Sequence, residues 1–471
     1  MLFNSPDFFV FIAAFFILWP ILRHHNGSRY LYLILASFVF YGWWDWRFLS
    51  LILLNGIVSF SGGLAVAHFP RFRKSLLITS ISVNAGILVI FKHLDFGIEN
   101  LNWLLEVLGA GRHINPARLT LPLGISFYTF ESMSYIIDVY QNKLKPTRNI
   151  AQFFAYLSMF PQLLAGPIVR AGDLLHQLES AGSITEQQRW DGWQLVIHGF
   201  FKKVVIADNI AVMVNSAFAG PVVNNSSIYW WLIMIMFAFQ IYCDFSGYSD
   251  IARGLAKWMG YEIPLNFNHP YISPSFREFW TRWHISLSSW FRDYIYIPLG
   301  GSRTGKVRSF VNLWVAMLVS GLWHGAAWTF IVWAALHSFY VSVERITDWP
   351  NRLSCIKGGR HLAVLLVFLL ACVAWVFFRA QSFTQATSIL SVMFSFKNIS
   401  WNIARNSISV TSLLCLSVIL LRELYFHLRL DQTNWITAKV NTAAQPVIAS
   451  IMVVLCIILR GPGEAFIYFR F

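Results

Sequence analysis

The chain has 471 residues, of which 56% are hydrophobic and 12% are charged, and its formal net charge is +14. Soluble domains carry about 25% charged residues, so this composition excludes an ordinary soluble protein. The cations stand in short groups between apolar runs, as in the cytoplasmic loops of membrane proteins. A basic stripe with interleaved aromatic residues is missing, so we expect membrane lipid, and not nucleic acid, as a partner.

Apolar runs recur from Phe8 to Leu459. A hydrocarbon core about 30 Å thick needs about 20 apolar residues per helix, and counting such runs predicts about 11 spans. The basic groups Arg23–Arg29 and Arg71–Lys74 place their loops in the cytoplasm and the N-terminus outside. We therefore predict an all-α polytopic membrane protein in which residues 1–471 form a single domain. The predicted spans without polar interruptions are Phe8–Leu22, Tyr30–Trp44, Phe48–Val66, Leu76–Phe91, His361–Phe378, Ile408–Leu421 and Val447–Leu459.

Two neighbouring apolar segments, Leu121–Tyr140 and Ala151–Val169, contain helix-breaking Pro and Gly residues. Broken helices at membrane depth are tolerated where they line protein or a cavity. Glu131 and Asp138 are seven residues apart and lie on one helix face, which we expect to face protein or water and not lipid. These features predict a core, residues 121–345, built around a chamber.

The polar stretch from Pro264 to Trp328 concentrates Arg, Glu, Asp, His, Asn and Trp within this apolar chain. Ionisable groups at membrane depth are costly and usually mark a site. Residues 276–296 form a helix or a pair of short helices that are too polar to span, and so lie at the interface or re-enter the bilayer. Glu278 and Arg282, four residues apart, can pair on one face.

His324 lies inside the apolar sequence SGLWHGAAW, where Gly321 and Gly325 allow backbone or ligand to approach closely. Imidazole titrates near neutrality, so a buried histidine is suited to take a proton from a hydroxyl. His337, in the same run, is interpreted as structural. The chain offers no CxxC pair and no HExxH sequence, so we expect no metal. An enzyme, a proton-coupled transporter or flippase, and a scaffold all remain open on these residues alone.

The stretches PYISPSFREFWTRWHISLSSWFRDYIYIPLGG and GLWHGAAWTFIVWAALHS resemble the membrane-bound O-acyltransferase (MBOAT) family, especially the bacterial branch typified by alginate O-acetyltransferase. The segments LPLGISFYTFESMSYIIDVY and MFPQLLAGPIVR and the ending FIYFRF agree with it. The resemblance implies a central funnel or tunnel through the bacterial inner membrane. Acyl groups would pass from a cytoplasmic thioester, acetyl-CoA or a related donor, to an exopolysaccharide or cell-wall polymer. A separate periplasmic acetyltransferase would be the protein partner.

The resemblance also implies the roles of particular residues. His324 is the principal catalytic residue, which we interpret as the base, and His284 is its orienting or proton-sharing partner. No bound cofactor is implied. The competing branch transfers D-alanine from a carrier protein to teichoic acid. Candidate channel-lining residues are Trp283, Trp323, Tyr248 and Asn268, and candidate cations for the donor phosphates are Arg282, Arg292 and Arg303.

The last residues of the chain, YFRF, combine aromatic and basic side chains. Such side chains are enriched at membrane–water interfaces. The sequence therefore predicts an interfacial C-terminus.

Overall fold

A computed structural model describes residues 1–180, 182–303, 305–396, 409–428 and 444–470, and all regular secondary structure in these ranges is helical. Short 3₁₀ or π turns join several of the α-helices. The α-helices in chain order are α1 (Pro6–Leu22), α2 (Asn26–Asp45), α3 (Leu49–His68), α4 (Arg73–Val107), α5 (Ile125–Tyr140), α6 (Ile150–Leu157), α7 (Phe160–Leu163), α8 (Ala171–Leu178), α9 (Glu186–Phe200), α10 (Asp208–Phe218), α11 (Ser227–Met259), α12 (Phe276–Arg282), α13 (Ile285–Phe291), α14 (Lys306–His324), α15 (Trp328–Thr347), α16 (Trp349–Ser354), α17 (Gly359–Arg379), α18 (Phe383–Ser395), α19 (Val410–Leu428) and α20 (Ala444–Ile458).

Five helical stretches of the described residues are long and apolar enough to cross a membrane. Two further apolar helices, α1 and α20, are shorter. The predicted all-α polytopic fold is thus confirmed, whereas the number of 11 spans and the single-domain organisation stay predictions. The predicted span at Ile408 begins on a residue outside the described ranges. The five stretches are Asn26–His68, Pro70–Val107, Ser227–Met259, Gly359–Arg379 and Val410–Leu428.

The first of two compact units comprises residues 1–192, 255–264 and 325–327. Small residues let its helices approach closely: a Cβ added to Gly56 of α3 would lie 2.4 Å from the Phe154 ring. Glu131 of α5 is buried, and its Oε1 accepts hydrogen bonds from the backbone N–H of Val169 (3.0 Å) and from Gln162 Nε2 (3.3 Å). Asp138 is buried in the same unit, so neither carboxyl is exposed toward lipid.

The second unit comprises residues 193–254 and 265–324 and the described residues of 328–471. It contains residues 227–254 of the long helix α11, most of which is buried. Helices α14 and α15 approach each other at Gly321, where an added Cβ would lie 2.7 Å from both Ala334 Cβ and Phe330 O. Real Cβ atoms do not approach other atoms so closely, so this contact requires glycine. It fixes the end of α14, on which His324 lies.

We expect Gly321→Ala to lower the free energy of unfolding by about 1–3 kcal/mol, because the added methyl group forces two packed helices apart. Gly86→Ala in α4 is the matched control, since a Cβ there meets nothing within 4 Å. Alanine also favours a helix over glycine, so the control should be neutral or stabilising. Thermal unfolding of both variants in detergent measures the difference. Equal midpoints would show that the α14–α15 contact is not tight.

Candidate active site

His284 lies between two short helices, α12 and α13. The sequence predicts a helix or a pair of short helices in this range. Ser275 caps α12 by accepting a hydrogen bond from the Glu278 N–H at 3.0 Å. The Glu344 carboxylate of α15 accepts from the N–H groups of Phe276 (2.6 Å) and Arg277 (3.3 Å). A negative charge at this end also suits the helix dipole. The start of α12 is therefore fixed to α15.

His284 stands between α12 and α13 in the left-handed backbone region, with φ +42°. This conformation costs a residue with a Cβ about 1–2 kcal/mol, so the surrounding contacts must hold it. Asn266 supplies those contacts. Its backbone O accepts from Ile285 N (2.9 Å), and its side-chain Oδ1 accepts from Ser286 N (3.2 Å) and Ser286 Oγ (2.8 Å).

The same Asn266 Oδ1 lies 3.2 Å from His284 Nδ1. Because Ser286 N–H can only donate, the atom it reaches is an acceptor, and His284 Nδ1 must carry a proton to bond it. The neutral ring then has an unprotonated Nε2. His284 lies outside the five candidate spans, and burial lowers its pKa well below the ordinary value, with nearby His324 lowering it further. The imidazole is therefore neutral at pH 7.

His324, the last residue of α14, has 2% of its surface exposed. Its Nδ1 lies 2.7 Å from the Ser320 backbone oxygen. A carbonyl oxygen only accepts, so Nδ1 donates, and the neutral ring again has its lone pair on Nε2. The ring packs against Trp333 (4.8 Å between centroids) and Phe378 (5.6 Å). This is a buried imidazole whose tautomer is fixed by the backbone.

The two histidines share two aromatic neighbours. The Trp323 ring lies 4.9 Å from His324 and 6.1 Å from His284. The Tyr468 ring lies 6.0 Å from His324 and 6.4 Å from His284. Both imidazoles therefore belong to one buried aromatic cluster, although they are far apart along the chain. In each neutral ring, Nε2 is the basic atom.

The sequence analysis assigns no site role to Tyr468, which belongs to the YFRF terminus predicted to be interfacial, or to its neighbour Phe466. Phe466 is buried, and its ring packs on Phe245 (5.4 Å) and Tyr248 (5.2 Å) of α11. Tyr468 also contacts Phe245, at 4.6 Å. The signals in the sequence are the run of aromatic residues at the terminus and the agreement of FIYFRF with the family, and neither reveals what these residues contact.

The predicted channel-lining residues differ in their surroundings. Trp283 is fully buried against Trp375 (5.0 Å), Trp323 is buried beside both histidines, and Tyr248 is buried against Phe466. Asn268, in contrast, is exposed, and the asparagine that contacts His284 is Asn266. The channel-lining role of all four stays a prediction.

The three arginines proposed for donor binding lie toward the surface of the unit. Arg282 pairs with Glu278 at 2.8 Å, as its spacing predicted. Arg292 is exposed and contacts Asp293 at 2.7 Å, and Arg303 is exposed. Two of the three already have a carboxylate neighbour, which a phosphate would have to displace. Their role toward a donor also stays a prediction.

His337 of α15 is fully buried among aromatic rings, including Trp280 (5.1 Å) and Trp333 (5.1 Å). Neither of its ring nitrogens has a hydrogen-bond partner among the described residues. A buried polar group without a partner costs about 1–3 kcal/mol. Packing alone therefore does not explain why the residue is histidine, because phenylalanine would fill the same space without the free-energy cost of two unpaired nitrogens.

We expect His337→Phe to raise the free energy of unfolding by about 1–3 kcal/mol if the residue only fills space, because the substitution removes two unpaired nitrogens. Thermal unfolding in detergent and acyl transfer should be measured together. A more stable and fully active variant confirms the packing role. A variant that loses activity would show instead that the His337 nitrogens take part in the reaction.

The fold and this cluster define a class: a polytopic membrane protein with two buried histidines in one aromatic cluster. The model of the membrane-bound O-acyltransferase family matches residues 143–387, and the chain belongs to that family. It is 40% identical to the probable alginate O-acetylase AlgI of Pseudomonas putida over 84% of this chain and 81% of the relative. It is 34% identical to the peptidoglycan O-acetyltransferase of Helicobacter pylori, over 85% and 81%. The teichoic acid D-alanyltransferase of Bacillus subtilis is 27% identical, over 58% and 72%. The protein is thus a membrane O-acyltransferase, and the enzyme interpretation holds over transporter and scaffold.

Proposed function

We propose that the protein transfers acetyl groups from a cytoplasmic thioester, acetyl-CoA, across the inner membrane for O-acetylation of an exopolysaccharide or cell-wall polymer. Two relatives support the acetyl group and the polymer class: one is a probable alginate O-acetylase and another a peptidoglycan O-acetyltransferase. A separate periplasmic acetyltransferase would complete the transfer to the polymer.

The observation that carries this proposal is the fixed tautomer of His324. With Nδ1–H bound to the Ser320 carbonyl, Nε2 is the atom that can accept a proton. The acceptor hydroxyl gives its proton to Nε2 as its oxygen bonds to the thioester carbonyl carbon. The C–S bond then breaks, and the departing sulfur takes the proton from His324.

His284 is proposed as the partner of this base. Its Nδ1–H is bound to Asn266, so its Nε2 shares the aromatic cluster with His324 as a second proton acceptor. The enclosing rings exclude water, which protects the thioester from hydrolysis. Trp283, Trp323 and Tyr248 would line the path, and Arg292 and Arg303 would meet the donor phosphates.

A second candidate is transfer of D-alanine from a carrier protein, which the likeness to the teichoic acid D-alanyltransferase favours. The lower identity and the smaller share of the chain covered, 27% over 58%, weigh against it compared with the acetylating relatives.

The experiment compares donors on membranes that contain the full chain. Radiolabelled acetyl-CoA and radiolabelled D-alanyl carrier protein are supplied separately, and label in the envelope polymer is counted. We expect label from acetyl-CoA alone, and only when His324 is present. Incorporation from the D-alanyl carrier, with none from acetyl-CoA, would replace the first proposal by the second.

A further inference from the structure

The C-terminal segment, residues 461–469, and Leu459 just before it are held to the rest of the second unit by four hydrogen bonds. Gly461 N–H donates to Val204 O at 2.9 Å, and Asn209 Nδ2 donates to Leu459 O at 2.8 Å, just before the segment. An added Cβ on Gly461 would lie 2.7 Å from Asp208 Cβ, so the chain passes very close to α10 at this point. The segment therefore enters the unit along a defined path.

The other two hydrogen bonds involve a buried charge cluster made of Lys203, Asp208 and Asp244, which we call the Lys203 cluster. Lys203 Nζ lies 2.9 Å from Asp208 Oδ1 and 2.8 Å from Asp244 Oδ1. The same ammonium donates to the Glu464 backbone oxygen at 2.9 Å. Asp244 Oδ2 accepts from the Ile467 N–H at 2.7 Å. The cluster thus holds both a carbonyl and an N–H of the segment.

The Lys203 cluster has a high desolvation free energy for a contact that only stabilises the fold. Removing three ionised groups from water costs several kcal/mol each, and the ion pairs recover only part of that cost. Apolar packing would hold a terminal segment more cheaply. Directional charged contacts, however, specify one placement along the segment, which apolar contacts do not.

We propose that Lys203 and Asp244 are positioning residues for acyl transfer, because they place the C-terminal segment so that Tyr468 forms a wall of the histidine cluster. Tyr468 follows the anchored Ile467 by one residue, and its ring lies 6.0 Å from His324 and 6.4 Å from His284. Asp244 also stands next to Phe245 on α11, whose ring lies 4.6 Å from both His284 and Tyr468. The inference rests on the proposed roles of the two histidines.

Ile467→Pro tests the anchor, because proline removes the N–H that Asp244 accepts and leaves the Lys203 cluster with all its charges. Ile467→Ala is the matched control, because it keeps the backbone N–H and removes more of the buried side chain than Ile467→Pro does. Two kinds of measurement are made on the full chain in detergent or nanodiscs. They are hydrogen–deuterium exchange in peptides covering 461–469, and kcat and KM for the acetyl donor.

We expect Ile467→Pro to exchange faster in this segment and to lose about 10²-fold in kcat at unchanged KM, as for a misplacement of about 1 Å. Ile467→Ala should retain most of kcat. Equal kcat for the two variants, or a loss of kcat without faster exchange, would overturn the proposal. If Ile467→Pro has a lower unfolding midpoint but an unchanged kcat per folded molecule, the Lys203 cluster only stabilises the fold and has no positioning role.

Lys203→Met and Lys203→Arg examine the other side of the anchor. Arginine keeps the charge and several donors, so it should restore much of the kcat that methionine loses. Lys203→Met leaves two carboxylates buried without their cation. If that variant does not fold, the comparison of Ile467→Pro with Ile467→Ala decides alone whether the anchor has a positioning role. The exchange result is also independent of the histidines: if His324→Asn stays active, the proposed role of His324 fails while the placement of the segment remains measurable.

Discussion

Replacing His324 with asparagine is expected to lower envelope-polymer acetylation by about 10²–10⁴-fold, the range for a positioned general base. Asparagine can place its Nδ2 where Nδ1 stands and still donate to Ser320 O, so the end of α14 should keep its geometry. No basic atom replaces Nε2. The measurement is O-acetyl content of polymer from cells carrying the variant as their only copy.

His176→Asn is the matched control for that experiment. His176 of α8 makes the same type of contact, from Nδ1 to the carbonyl four residues earlier, Gly172 O, at 2.9 Å, but it is exposed. We expect this variant to acetylate like the wild type. If His324→Asn and His176→Asn acetylate equally, with both proteins inserted at wild-type amounts, His324 has no catalytic role.

His284→Asn is expected to give the second largest loss, about 10²-fold in kcat, because the second imidazole of the cluster disappears. Asparagine tolerates the left-handed backbone at φ +42° better than most residues, and its Nδ2 can donate to Asn266 Oδ1. The turn between α12 and α13 should therefore survive. Steady-state kcat and the thermal midpoint are measured on the purified variant.

An unchanged kcat in His284→Asn would show that His284 only shapes the turn. A comparison with Asn266→Ala separates the two effects further, because that change keeps the imidazole but removes the acceptor of Ser286 and His284. We expect Asn266→Ala to lower both stability and kcat, and His284→Asn to lower chiefly kcat. The same pattern in both variants would assign His284 a structural role.

The sequence predicted the all-helical membrane fold because apolar runs of bilayer length need no tertiary information to be recognised. It also singled out His324, since a histidine between glycines in an apolar run is conspicuous. The polarity of residues 276–296 and the spacing of Glu278 and Arg282 predicted a helix or a pair of short helices around His284. In each case the signal is local in the chain.

The rest could not be predicted, because it depends on contacts between distant residues. Asn266 and Asn268 occur in the same NFNHP sequence, and only the path of the chain shows that Asn266 reaches His284. Tyr468 lies near both histidines, and Lys203 and Asp244 contact the backbone of the residues just before it. No periodicity links these positions. Asp244 likewise accepts a hydrogen bond from the backbone of Ile467, 223 residues further along the chain.

The most direct test of the central claim is the single-turnover rate of acetyl transfer from labelled acetyl-CoA by purified protein in nanodiscs, with envelope polymer and the periplasmic fraction as acceptor. If His324 Nε2 is the base, His324→Asn binds the donor with wild-type affinity and transfers its acetyl group at least about 10²-fold more slowly, while His176→Asn matches the wild type. Transfer by His324→Asn at the wild-type rate would contradict this account.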